Sequence, residues 1–121
     1  MKFEASFHEG EGYLRATGRG DFDLATIRQK MQRVREEAER TGHTRILIDT
    51  REMTRIKSDM DRYLLGVDIA RILCSPLKVA ILVMPSQITG FTEDTAVNRG
   101  AHIRILSDYD AALQWLLDTD S

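Results

Sequence analysis

At 121 residues the chain is long enough for one self-sufficient core and too short for two, so a single domain over 1–121 is expected. With 42% hydrophobic and 30% charged residues it has the composition of a soluble globular protein rather than a disordered or fibrous one. A formal net charge of -2 argues against a nucleic-acid binder working through a basic surface, and no run approaches the roughly 18 apolar residues of a membrane span.

Residues 2–8 alternate loosely and run into Glu-Gly-Glu-Gly, and Tyr13 to Thr17 reads as a second strand, so the two form an antiparallel hairpin. A helix begins at Asp23, which suits an N-cap, and Leu24, Ile27, Met31, Val34 and Ala38 share one stripe. Its other face pairs opposite charges four residues apart, as in Arg35 and Glu39, and Gly42 supplies a left-handed stop. Arg45 to Asp49 is a short apolar strand ending in an acid, followed by a loop of about nine residues. Ser58 then caps a helix over 59–73 that is apolar on two sides. Met60, Tyr63, Leu64, Val67 and Ala70 make one stripe, read as core. Leu65, Ile69, Ile72 and Leu73 make the other, and a helix buried on two faces needs a second covering surface. That surface is either the rest of the monomer or a partner, and in the second case Leu65, Ile69 and Ile72 are the candidates for a homodimer or partner interface.

The most strand-like stretch is Leu77 to Met84, nearly continuous in apolar character, as a central parallel strand covered on both sides would be. Residues 85–90 are loop, and Thr92 can cap a short helix that Gly100 ends. Ile103 to Leu106 is the last strand, and Ser107 with Asp110 has capping-box spacing at the start of a final helix anchored by Leu113, Trp115, Leu116 and Leu117. Strand followed by helix occurs three times, at 45–49, 78–84 and 103–106, which specifies an α/β layer fold with a largely parallel sheet.

Chemistry is sparse. His8, His43 and His102 are far apart, with no second ligand at helical or hairpin spacing, so neither a metal nor a cofactor is expected. Cys74 has no His, Lys or CxxC neighbour and cannot form an internal disulfide; it reads as a structural thiol. No Gly-x-Ser-x-Gly elbow, dinucleotide fingerprint or Walker A is present, and no base–nucleophile pair stands out, so an enzyme is not expected. The start of the chain lacks an apolar signal segment, and a cytoplasmic protein is the default. The sharpest candidate lies where ligands of open α/β sheets bind, outside the carboxyl ends of the strands. There Asp49, Arg51, Arg55 and Lys57 lead to Ser58 and Asp59 at the amino end of the second helix, an arrangement that suits an anion; the alternative is that Asp49 and the arginines pair with one another and Ser58 only caps the helix.

The order of segments resembles that of the SpoIIAA-like proteins, which are related to the STAS domains of anti-sigma-factor antagonists and similar in fold to CRAL-TRIO lipid-binding domains. It is carried by Ile46-Leu-Ile-Asp49, Asn98-Arg-Gly100 and Asp110-Ala-Ala-Leu-Gln-Trp-Leu116, and covers nearly the whole chain. The resemblance implies a mixed, mostly parallel sheet of about five strands with about four helices, and a non-enzymatic regulatory or protein-interaction role. In the antagonist branch an Asp-Ser-Ser-Gly motif opens the second helix and a serine in it is phosphorylated. Here the matching stretch is Lys57-Ser58-Asp59-Met60, with an acid at the second serine position and no glycine after it. From the lipid-binding relatives comes an alternative, a carrier of a small amphipathic ligand, with Tyr63, Leu64, Phe91 and Trp115 lining an apolar pocket.

Overall fold

Residues 2–119 are described by a computed structural model. The hairpin forms as its alternation requires: β1 (Glu4–Glu9) and β2 (Leu14–Gly20) pair antiparallel. The turn is closed by the Gly10 N–H donating to the Tyr13 carbonyl at 2.9 Å, and Gly12 takes a φ of 84°, open to glycine at little cost. From β2 onward every pairing is parallel. β3 (Arg45–Met53), β4 (Lys78–Leu82) and β5 (His102–Leu106) follow in order, giving one five-stranded sheet, β1-β2-β3-β4-β5. β3 runs four residues beyond Asp49, so the loop after it is shorter than the sequence implied.

Parallel register lines up apolar rows across the sheet. On one face Leu14, Ile46, Val79 and Ile103 form a first row, and Ala16, Ile48, Ile81 and Ile105 a second. These pack beneath α1 (Leu24–Thr41) and α2 (Asp59–Ile72). On the other face Leu47, Ala80 and Leu82 are covered by Ala112 and Leu116 of α4 (Tyr109–Leu117). Each helix takes its place through local signals. Asp23 accepts from the Thr26 N–H at 3.1 Å, Ser58 from that of Asp61 at 3.0 Å, and Gly42 closes α1 in the left-handed region. Two expected caps differ. Asp108, not Ser107, accepts from the Ala111 N–H at the start of α4, because its extended backbone aims the carboxylate at the open turn. α3 (Phe91–Asn98) starts from Gly90, and buried Thr92 donates to the Arg62 carbonyl instead of capping.

The two stripes of α2 are exchanged relative to expectation. Ile69 and Ile72, each 2% exposed, and Leu73 sit in the core, with half-buried Leu65 packed on it, whereas Met60 is 65% and Tyr63 38% exposed. Leu65, Ile69 and Ile72 therefore do not offer an outward interface. A helix equally apolar on both sides carries no directional signal, so its orientation is set by what packs beside it. Here that is α3: a Cβ at Gly66 would come within 2.7 Å of Thr95 Cβ and 2.9 Å of the Thr92 carbonyl oxygen. Only a glycine allows the two helices to approach so closely. Gly66→Ala, although it raises helix propensity, should lower stability by about 1–3 kcal/mol through overpacking, read as a lower urea midpoint with unchanged slope. A rise in the midpoint would show that the α2–α3 contact is loose.

Candidate functional site

The second apolar row is where the helices and the sheet separate. Ala16, Ile48, Ile81 and Ile105 floor a cavity of about 140 Å³, roofed by Ile27, Met31 and Val34 of α1 and by Leu65 and Ile69 of α2. Alanine stands at the β2 position of a row that is otherwise isoleucine, so the missing side-chain volume is written into the sequence. The cavity opens toward the carboxyl ends of the strands, where exposed Met84, Ile88, Thr54 and Thr89 make its rim. Gln87 ties that rim together, its side-chain oxygen accepting the Ile56 N–H at 3.2 Å. The wall's polar groups are few and mostly engaged: Thr50 Oγ1 donates to the Leu82 carbonyl at 2.8 Å, and a Glu93 carboxylate oxygen accepts the Ile105 N–H at 2.6 Å.

Tyr63, Leu64, Phe91 and Trp115, expected to line an apolar pocket, are all absent from this wall. Trp115 lies across the sheet, edge-on to His102 at 5.5 Å with Lys78 Nζ 4.6 Å from its ring centre. Tyr63 points outward, its hydroxyl accepting from Arg99 Nη2 at 2.9 Å, and Phe91 is exposed at the start of α3. Leu64 is half-buried on the side of α2 turned away from the cavity. The residues that do line it from α2 are Leu65 and Ile69, expected at an interface, because the helix is rotated as described above.

The anion-binding set is divided by the end of β3 at Met53. Asp49 and Arg51 project onto the α4 face, whereas Arg55 and Lys57 are exposed in the following loop and find no partner among the described residues. Ser58 caps α2 and Asp59 pairs with Arg62 at 2.8 Å. Asp49 is buried and held by two bonds from the Arg51 guanidinium, at 3.0 and 2.8 Å, and by the Arg51 N–H at 3.1 Å. Arg15 approaches it to 3.6 Å, and both arginines lie over the Tyr109 ring, at 5.3 and 5.9 Å from its centre. Tyr109 in turn meets the Tyr13 hydroxyl at 3.3 Å, and buried Arg15 Nε has no hydrogen-bond partner among the described residues. The partnership of Arg15, Tyr13 and Tyr109 with Asp49 leaves no local trace in the sequence; two strands and a helix far apart in the chain bring it about.

Burial pushes the Asp49 carboxyl up, but the bonds from Arg51 and the charges of Arg51 and Arg15 outweigh it, leaving the pKa below the usual aspartate value. A carboxyl lowered in the folded state contributes stability above its unfolded pKa of about 3.9 and loses it as the pH falls through the folded value. Asp49→Asn should therefore cost about 1.5–3 kcal/mol at pH 7, the range for bonds to a charged group, and the gap to the unaltered protein should shrink below about pH 4. Urea titrations at pH 7 and pH 3 measure it; an equal gap at both would mean that charge is not the cause.

Among the described residues no helix is long and apolar enough to cross a membrane. No family model and no curated protein matches the chain. Among solved structures it is similar to an anti-sigma factor antagonist from Mycobacterium paratuberculosis, at 12% identity over 97% of this chain and 96% of that one, with a TM-score of 0.68. It is also similar to an uncharacterised DUF3478-family protein with a SpoIIAA-like fold from Shewanella loihica PV-4, at 18% identity over 94% and 93% of the two chains, with a TM-score of 0.53. At such identities the likeness is one of architecture, and with the hairpin, the four parallel strands and the helices on both faces it establishes that this chain has the SpoIIAA-like fold.

Proposed function

We propose that the protein is a non-enzymatic, cytoplasmic module that acts in regulation by binding another protein or a second copy of itself. The observation that carries this reading is the end-to-end likeness of fold to an anti-sigma factor antagonist. A surface feature supports it. The large exposed hydrophobic side chains among the described residues, Met60, Tyr63, Met84, Ile88, Phe91 and Val97, all fall on α2, α3 and the loop before α3. Apolar side chains gathered on one side of a protein mark an interaction surface more often than scattered ones do. Arg55, Lys57, Ser58 and Asp59 border this face at the amino end of α2 and supply a charged rim.

A photo-crosslinker at position 88 in cells of the source organism should give a discrete protein adduct, and Phe91→Asp in the same chain should abolish it. The same probe at exposed position 36 on α1 should give none. The adduct's mass separates a second copy from a different partner, and absence of any adduct from position 88 would overturn the reading.

A second reading, a carrier of a small apolar ligand, has its own support in the cavity of about 140 Å³ between the second apolar row and the helices. Ligand sites in α/β folds are concave, mostly apolar and furnished with few polar groups, and this one lies at the carboxyl ends of the strands.

A further inference from the structure

An occupant of the cavity must bring an apolar body, since the wall is made chiefly of Ile, Leu, Met and Val side chains. The volume of about 140 Å³ compares with an engineered cavity of about 150 Å³ that holds one benzene, so roughly six carbon atoms fill it. What the occupant carries at its polar end follows from the charges in the wall. Arg62 is already engaged, donating to Asp59 at 2.8 Å and to the Ile56 carbonyl at 2.7 Å. Glu93, the single acid among the lining residues described, accepts a backbone N–H and belongs to α3, beside β5. Lys30 differs from both. It stands half-buried beside Met31 at the edge of the core-facing stripe of α1, lines the cavity, and has neither a hydrogen-bond nor an ion-pair partner among the described residues. A lysine whose stem lines an apolar space, and which has no acid of its own there, can turn its ammonium to whatever enters.

We propose that the cavity binds a small free monocarboxylate, its apolar body against Ile48, Ile81 and Ile105 and its carboxylate on the Lys30 ammonium. The inference rests on the carrier reading and adds to it the chemical class of the ligand. Hexanoate, hexan-1-ol and hexylamine share one body and differ in the head, so they separate the two. In methyl-resolved NMR of the full chain, hexanoate should shift the Ile48, Ile81 and Ile105 methyls at concentrations at least tenfold below those hexylamine needs. In Lys30→Met, which keeps the side chain's length, hexanoate should lose that advantage while hexan-1-ol titrates as before. Should hexan-1-ol bind the unaltered protein but hexanoate no better than hexylamine, the assignment to Lys30 falls and the carrier reading stands. Should none of the three move those methyls, both fall, and neither outcome needs the variant to fold.

Discussion

The structure depends on one constraint, the burial of β4 on both faces. All five of its residues are buried, and they alternate between the two helix layers, Val79 and Ile81 toward α1 and α2, Ala80 and Leu82 toward α4. A strand in that position cannot present a charged side chain at either end without giving it a partner. Lys78 meets the demand by donating to the Trp115 and Asp118 carbonyls at 2.7 and 2.8 Å, at the carboxyl end of α4, and by lying over the Trp115 ring. Free carbonyls and the negative end of the helix dipole are where an ammonium is most favoured. Burial still lowers the Lys78 pKa, with the charge of Arg45 adding to it and that of Asp118 opposing. The pairing that keeps the strand buried thus also docks the last helix.

From that strand outward the two faces are closed to different degrees. On the α4 side, helix and sheet meet over Leu47, Ala80 and Leu82, and the part of β2 and β3 beyond α4 is polar, filled by Arg15, Asp49 and Arg51 around Tyr109. On the other side the first apolar row is tightly covered, but the second is not, because Ala16 is too short to continue the level of its isoleucine neighbours. The carboxyl edge of a parallel sheet is also where connections leave for the helices, so neither α1 nor α2 need lie flat there. The void and the loops that border it have one origin.

How much of this is legible in the sequence follows from what kind of signal each feature leaves. Strand and helix positions are readable because β4 is apolar from Val79 onward, α1 repeats at three and four residues, and Asp23, Ser58 and Gly42 mark helix ends. The orientation of α2 is not, since two apolar stripes on one helix look alike until Gly66 and α3 break the tie. For the same reason Leu65 and Ile69, which suggest an interface in the sequence, line a cavity instead. Asp49 and Arg51 are recognisable as neighbours at one strand end. Residues 49 and 51 share a face of a strand, however, and β3 continues to Met53, which separates them from Arg55 and Lys57. Arg15 and Tyr109 could not be added, because nothing local links β2 to the start of α4.

Met84 and Ile88 belong to two surfaces at once. They are half or nearly half exposed, at 50% and 45%, on the apolar face proposed for a partner, and they also form the rim of the cavity. A partner seated on that face would cover the cavity's mouth, and a ligand inside would change the footing on which the partner rests. Two binding events that share side chains cannot be energetically independent, and the influence of each on the other must be equal in magnitude. Gln87 makes the link mechanical as well, since its bond to the Ile56 N–H joins the rim to the loop that leads into α2. The interaction and carrier readings are therefore compatible. In this fold a small molecule at the second row and a protein on α2 and α3 would meet through the same few atoms.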